Sequence, residues 1–213
     1  MIEITEASLD ALRQELMQGM SFKRFRHTVA VEDMVARLCA LFCPEKTLQM
    51  RAAALLHDMT KELSADEQEA LCHSYGLVVT QQDRLSPKTF HARTAAARIQ
   101  KEMPQFADPT VVDAVRWHTT GRADMTLTEK LLYLADYIDE SRTFENCVIL
   151  RRYFWGAEPQ SLSRDGLDAL LRDTLILSFD MTVRDLLSEG APIAEDTLRA
   201  RNQLLVERAG DKD

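Results

Sequence analysis

The sequence predicts an all-α protein, and three observations predict it. Glycine and proline are sparse, 7 and 6 among 213 residues. Few segments alternate apolar and polar residues, as half-buried strands do. Apolar residues recur instead at helical spacing. His27, Val31, Met34, Val35 and Leu38 fall at i, i+4, i+7, i+8 and i+11, on one helical face. Apolar residues make up 46% and charged residues 28%, an ordinary globular composition. That composition excludes disorder, a collagen-like repeat and a disulfide scaffold.

The periodicity predicts helices at 5–18, 22–43, 45–58, 64–75, 90–103, 108–118, 126–140, 162–188 and 195–209. The first opens within MIEITEASLD, which is acidic and lacks the basic-then-apolar order of an export signal. The second carries the His27 stripe. The third carries Leu48, Ala52, Leu55 and Leu56 and ends in His57-Asp58. The fourth starts at Ser64, followed by Ala65-Asp66-Glu67 in the form of a capping box. A long irregular stretch, 76–89, comes next, and loops of that length often carry function. The fifth helix shows His91, Ala95 and Ile99 on one face. The sixth starts at Asp108-Pro109, a cap followed by proline at the first helical position. It carries Val111, Val115 and His118, and Gly121 supplies its left-handed stop. The seventh starts with a second capping box, Thr126 to Glu129. It buries Leu127, Leu131, Leu134 and Ile138 beside Asp136. A weak break at Gly156-Ala157-Glu158-Pro159 leads to two leucine-rich helices, marked by Leu167, Leu170, Leu171 and Leu175, then Leu198 and Leu205. These pack on the core or serve a dimer contact. No shift in composition divides the chain, so we expect one domain over 1–213, with a core at about 20–155 and C-terminal helices at about 160–209.

Lys and Arg number 26 against 34 Asp and Glu, a net charge of −8. That balance argues against a nucleic-acid partner and leaves room for a local basic pocket. No apolar run approaches the roughly 20 residues that span a bilayer, so no membrane is expected. Cys39, Cys43, Cys72 and Cys147 show no framework spacing and read as reduced thiols in a cytoplasm. Cys39 and Cys43, four apart on a helix, read as packing before zinc, since no matching second pair exists.

Four of the 5 histidines stand at the ends of apolar stripes. A lone histidine there is usually a core residue with one hydrogen-bond partner. Six polar groups, His27, His57, Asp58, His91, His118 and Asp136, nevertheless point from five helices toward one interior. Burial without partners would cost each about 2–7 kcal/mol. A metal site answers all six at once, because ions hold imidazoles neutral and carboxylates ionised. On pattern alone, metal ligands and separately bonded core residues stand level. His73, in EALCHSYG, has no stripe and reads as surface.

The segment LLHDMTKEL, 55–63, resembles the HD superfamily of metal-dependent phosphohydrolases. The ordered series is more specific: His27 in RFRHT, His57-Asp58, His91 in KTFHA, His118 in VRWHTTGR and Asp136 in YLADYIDESR. It resembles the YqeK family, the symmetrical diadenosine tetraphosphate hydrolases of bacteria. The most specific stretch is 116–144, and the likeness covers about 20–155. The chain departs from it in Ala-Arg-Thr after His91, where a small residue and proline are usual, and in Asp-Glu-Ser-Arg at 139–142.

The resemblance implies an HD-domain helical bundle with a C-terminal helical extension. It also implies a two-metal centre, iron first, with manganese or another transition metal as alternatives. Six N/O ligands exceed the needs of one four-coordinate ion and suit two ions about 3.5–4 Å apart, bridged by Asp58. The family likeness places His27, His57 and Asp136 on one ion and His91 and His118 on the other. Asp58 and Lys61 are then the catalytic candidates. Lys61, three residues after Asp58, shares its face if the helix runs on. Thr119, Thr120, Gly121 and Arg122 follow His118 and suit phosphate oxygens, with a plain helix end as the alternative. Asp139 orients a ligand or water and Arg142 reaches a phosphate, or the two form an ion pair. One residue of the basic run Lys23-Arg24-Phe25-Arg26 serves the far phosphates, or the run is a solvated face.

The implied reaction is hydrolysis of a dinucleoside tetraphosphate at its centre, giving two nucleoside diphosphates. These small molecules are the expected partners. The alternatives are another HD-type nucleotide phosphohydrolase, a non-catalytic metal or nucleotide sensor, and an oxygen-binding di-iron bundle. No GxxxxGK[ST] or kinase-type glycine loop supports phosphoryl transfer to another acceptor.

Overall fold

A computed structural model describes residues 3–210. Eleven α-helices appear among these residues, with short 3₁₀ turns and no strand. They are α1 (Glu6–Gly19), α2 (Phe22–Phe42), α3 (Thr47–Leu56), α4 (Ala65–Ser74), α5 (Gln81–Leu85), α6 (Phe90–Glu102), α7 (Pro109–Trp117), α8 (Leu127–Ile138), α9 (Glu145–Gly156), α10 (Arg164–Ser188) and α11 (Glu195–Gly210). The capping boxes at Ser64 and Thr126 form as the spacing predicts, and Asp108 caps Thr110 N ahead of Pro109.

Helices α2, α3, α6, α7 and α8 make the central bundle. α3 packs on α2 and α7, α7 on α6 and α8, and α2 on α8. Val31, Val35, Leu38, Leu55, Leu56, Val115, Leu131 and Leu134 are excluded from water between them. α1 is clamped onto this bundle by charge as well as packing. Buried Glu32 of α2 accepts from Arg13 of α1 (Nε to Oε2, 2.8 Å) and from Arg51 of α3 (Nε to Oε1, 3.0 Å).

The C-terminal helices close over α8 and α9. Tyr133 of α8 stacks on Phe179 of α10 at 4.6 Å between ring centroids. Leu167, Leu171 and Leu175 are buried within the chain, which settles that stripe as packing. Of the predicted α11 residues, Leu205 packs against the core and Leu198 does not. Thr197, Ala200 and Leu204 turn inward, while Leu198 is exposed.

Three local differences from the sequence expectation have physical reasons. Helix α9 is absent from the predicted set. Its sequence ENCVILRRYFWG is β-branched and aromatic, and Phe144 at its start makes no side-chain cap, so local propensity does not announce it. Burial of Cys147, Leu150 and Phe154 holds it instead. The 76–89 stretch contains α5, which opens with a capping box between Thr80 and Asp83. Finally, the predicted 45–58 helix does not run on. A 3₁₀ turn (Pro44–Lys46) precedes α3, which ends at Leu56, and 57–62 is a series of turns.

Candidate metal centre

The six groups predicted from the stripes converge. His27 sits in the second turn of α2, His57 and Asp58 directly after α3, and His91 in the first turn of α6. His118 follows α7, and Asp136 lies in the last turn of α8. Placement at helix ends sets the ring orientation. Nδ1 of His57, His91 and His118 each meets the carbonyl three residues earlier, at Ala54 (2.6 Å), Lys88 (2.8 Å) and Val115 (2.7 Å). A carbonyl only accepts, so Nδ1 carries the proton and Nε2 presents a lone pair inward. His27 is backed differently, with Nδ1 3.2 Å from Ser141 Oγ and 3.5 Å from Asp139 Oδ2.

Those inward lone pairs face one another and face carboxylates. His91 Nε2 and His118 Nε2 are 3.0 Å apart. His27 Nε2 lies 2.9 Å from Asp136 Oδ1. Asp58 divides its two oxygens between the halves of the site. Oδ2 faces His27 at 3.7 Å and His57 at 3.4 Å, and Oδ1 faces His91 at 3.2 Å and His118 at 3.7 Å. Two triads have ligand atoms close enough to share one ion, His27–His57–Asp136 and His57–Asp58–His118. His57 belongs to both.

The donor set fits a metal. The Nε2 atom of His57 is buried and has no hydrogen-bond partner. Burial pushes the His91 imidazole down to about 4, and burial also lowers His118. Both are therefore neutral near pH 7, and two acceptors 3.0 Å apart repel unless a cation lies between or beside them. Burial would raise Asp58, but the surrounding histidines outweigh it and hold the carboxyl well below its usual range. Burial likewise opposes ionisation of Asp136, and Arg142 and His27 overcome it. For His27, burial is outweighed by the hydrogen bonds to Asp136 and Asp139, and the protein groups alone raise the ring to about 9. Neutral imidazoles at His91 and His118 and ionised carboxylates at Asp58 and Asp136, without a thiolate, suit a borderline transition metal.

Cationic and hydroxyl groups surround this set. Lys61 Nζ lies 3.1 Å from both ring nitrogens of His91, and Thr119 Oγ1 lies 3.1 Å from Nε2 of both His91 and His118. The guanidinium of Arg24 pairs with Asp58 Oδ2, and that of Arg142 pairs with Asp136 Oδ1. Two clefts open on the centre. One, of about 370 Å³, includes Lys61, Thr119, Thr120, Asp136 and Arg142 in its lining. The other, of about 530 Å³, includes Arg24, His27 and Arg142.

A family model for the HD domain matches residues 24–141, the stretch that holds all six side chains. The chain belongs to the HD-domain family. Within that family it is 32% identical to a protein of Halalkalibacterium halodurans named symmetrical bis(5'-nucleosyl)-tetraphosphatase, over 87% of this chain and 90% of that one. A Bacillus subtilis protein of the same name is 29% identical, over 94% of this chain and 97% of that one. A crystal structure described as a predicted HD superfamily hydrolase involved in NAD metabolism, from Clostridium acetobutylicum, superposes with a TM-score of 0.79. It is 29% identical and covers 93% of this chain and 97% of that one.

In this HD domain the other sequence-predicted residues divide. Lys61, Thr119 and Thr120 line the smaller cleft, although α3 stops short of Lys61. A turn, with Lys61 N donating to Asp58 O at 3.0 Å, delivers the side chain instead. Burial lowers the Lys61 ammonium, and the Asp58 and Asp136 charges oppose that shift. Arg142 reaches the centre through Asp136, and buried Asp139 stands behind His27.

Gly121 and Arg122 line neither cleft. Gly121 is buried at φ +64°, packed against Phe179, Ala200 and Met125. Arg122 is turned to buried Glu129, Nη2 to Oε1 at 2.9 Å, which ties the 121–125 turn to α8. The residue least expected at the centre is Arg24. Its signal was a position three residues before His27, close to one helical turn and so on the same face of α2. His73 is exposed beside Glu69, and Cys39 and Cys43 are buried in the core, as read from the sequence.

Proposed function

We propose that this HD-domain chain hydrolyses dinucleoside tetraphosphates, diadenosine tetraphosphate first among them, to two nucleoside diphosphates. The observation that carries the reading is Asp58, whose two oxygens face two separate histidine groups, in a chain similar to relatives named for that activity. Such a carboxylate suits a bridge between two ions, iron first, with manganese or another transition metal as alternatives. His27, His57 and Asp136 would hold one ion and His91 and His118 the other, with His57 within reach of both sets.

A bound metal pair supplies water of lowered pKa and positive charge against phosphoryl oxygens. The chain's own groups do the rest. Lys61 presents a mostly buried ammonium beside His91 and donates to a phosphoryl oxygen as charge builds there. Thr119 Oγ1 donates from the same side, and Thr120 lines the cleft next to it. Asp139 keeps the His27 ring oriented from behind. Arg24 and Arg142 hold the two ligand carboxylates and lie at the openings where phosphates arrive. In the net reaction water oxygen bonds to phosphorus, the central P–O–P link breaks, one half leaves as a diphosphate, and the water protons pass to solvent.

We take residues 1–213 as one working unit. Leu186, Ala191, Pro192 and Thr197 of the C-terminal helices and their connector line the cleft that Lys61 enters, so substrate enclosure needs both parts. No helix among the described residues is long and apolar enough to cross a membrane. All four cysteines are free and buried, in keeping with a reducing cytoplasm.

The test is elemental analysis and a substrate panel on one purified sample. Two metal equivalents per chain and two ADP from each diadenosine tetraphosphate support the reading. AMP plus ATP as products, or faster turnover of deoxynucleoside triphosphates or cyclic dinucleotides, overturns it. Tight dinucleotide binding without turnover assigns a sensor instead.

A further inference from the structure

The second cleft, beside His27, has a chemistry that metal binding does not use. It lies between the first turn of α2 and the 141–144 loop. Lys23, Arg24, Arg26 and Arg142 line it, and no acidic residue does. In a chain of net charge −8 that is a concentrated basic patch. Lys23 and Arg26 have no ion-pair partner among the described residues, and the Arg26 guanidinium stands 5.9 Å from the centroid of the Phe22 ring, so charge and aromatic face adjoin. Two phenylalanines complete the lining. Phe22 is 76% exposed and Phe144 is 71% exposed. Paired exposed rings at a basic opening next to a reactive centre mark a binding surface.

A substrate cut at its midpoint carries the same chemistry on both sides of the cut: a flat aromatic base, a sugar and two phosphates. Under the proposed reaction the cleft at Lys61 and Thr119 would take one such half. Arg142 lines both clefts and so stands where the two halves meet. We propose that the Phe22–Phe144 cleft seats the second nucleoside diphosphate arm, the base stacking on the phenylalanines and the phosphates meeting Lys23, Arg24 and Arg26. Its volume of about 530 Å³ is within the usual range for small-molecule sites. Base stacking tolerates any base, so this arm contributes affinity with little base selectivity. The inference rests on the two-armed substrate proposed above.

The test compares diadenosine tetraphosphate with adenosine 5'-tetraphosphate, which keeps the phosphates and lacks the second nucleoside. The parent protein should favour the two-armed substrate by about tenfold or more in KM, the usual effect of one stacked base. In Phe22→Ala/Phe144→Ala the KM for the two-armed substrate should rise by about that factor, so the two values converge, with kcat and metal content unchanged. Both side chains are exposed, so folding should survive the change. Lys23→Ala/Arg26→Ala should raise KM for the two-armed substrate and make it less sensitive to salt. Retention of the parent preference by the phenylalanine variant overturns the inference. So does a change in association state by sedimentation with KM intact, which makes the rim a contact between chains. Failure of the parent to release two ADP sinks the reaction itself. Two ADP from the parent with an unchanged preference in the variant sinks only the second seat.

Discussion

Replacing Gly121 by alanine adds one methyl group where the candidate metal centre meets the C-terminal helices. Two separate penalties follow. The residue has φ +64°, a left-handed conformation in which an alanine costs about 1–2 kcal/mol. The new Cβ would also lie 2.7 Å from Phe179 Cζ, and 3.1 Å from both Ala200 Cβ and Met125 Sδ. Phe179 is fully buried and stacked on Tyr133, so it has little room to withdraw. Overpacking of that kind costs about 1–3 kcal/mol. Together the destabilisation is about 2–5 kcal/mol, and at roughly 2–4 °C per kcal/mol for a chain of this size the melting temperature should fall by about 4–20 °C. Thermal unfolding followed by circular dichroism reads this. Repeating it with Phe179→Leu tests the steric share. Loss of Cζ removes the 2.7 Å contact and leaves those with Ala200 and Met125, so the cost of Gly121→Ala should fall by about 1 kcal/mol or more in that background. Because the strained turn follows His118-Thr119-Thr120, bound metal should fall with stability. A melting temperature within about 2 °C of the parent, or a cost that Phe179→Leu leaves unaltered, refutes the reasoning.

Three further outcomes are expected. Lys61→Ala should retain metal by elemental analysis and lose about 10²–10³-fold in kcat, the usual effect of removing one charged donor to a transition state. An unchanged kcat removes Lys61 from the reaction. Asp139→Ala removes the carboxylate 3.5 Å behind His27 Nδ1 and should weaken metal binding by about 10–100-fold, while kcat at saturating metal changes far less. Metal titration separates the two effects, and unaltered affinity rules out the orienting role. Glu32→Ala leaves Arg13 and Arg51 without their shared buried carboxylate and should cost about 3 kcal/mol by urea unfolding, with activity retained under folding conditions.

The helical class and the convergence of the candidate ligands were readable from the chain because both are periodic. An apolar stripe states which face is buried, and a histidine or aspartate on that stripe must share the interior. His27, His57, His91, His118 and Asp136 all follow this rule. Capping chemistry made helix starts at Ser64, Asp108 and Thr126 legible for a similar reason, since the first turn's amides need local acceptors. Helix α9 was not legible, because tertiary burial rather than propensity holds it. On α11 the exposure of Leu198 was not legible either. Leu198 and Thr197 are neighbours, and only the packing surface selects between them.

Residue types and their order along the chain were sufficient to name six polar side chains that turn to one interior, since each constraint acts within a few helical turns. Tertiary structure alone decided how Asp58 divides its oxygens, how a turn rather than a helix carries Lys61 to His91, and that Gly121 lies against Phe179 while Arg122 pairs with Glu129. It also placed Arg24 on Asp58 and set Phe22 and Phe144 on one basic cleft, 122 positions apart in sequence. Distances between groups on different helices depend on how whole helices pack, and no periodicity within one helix encodes them.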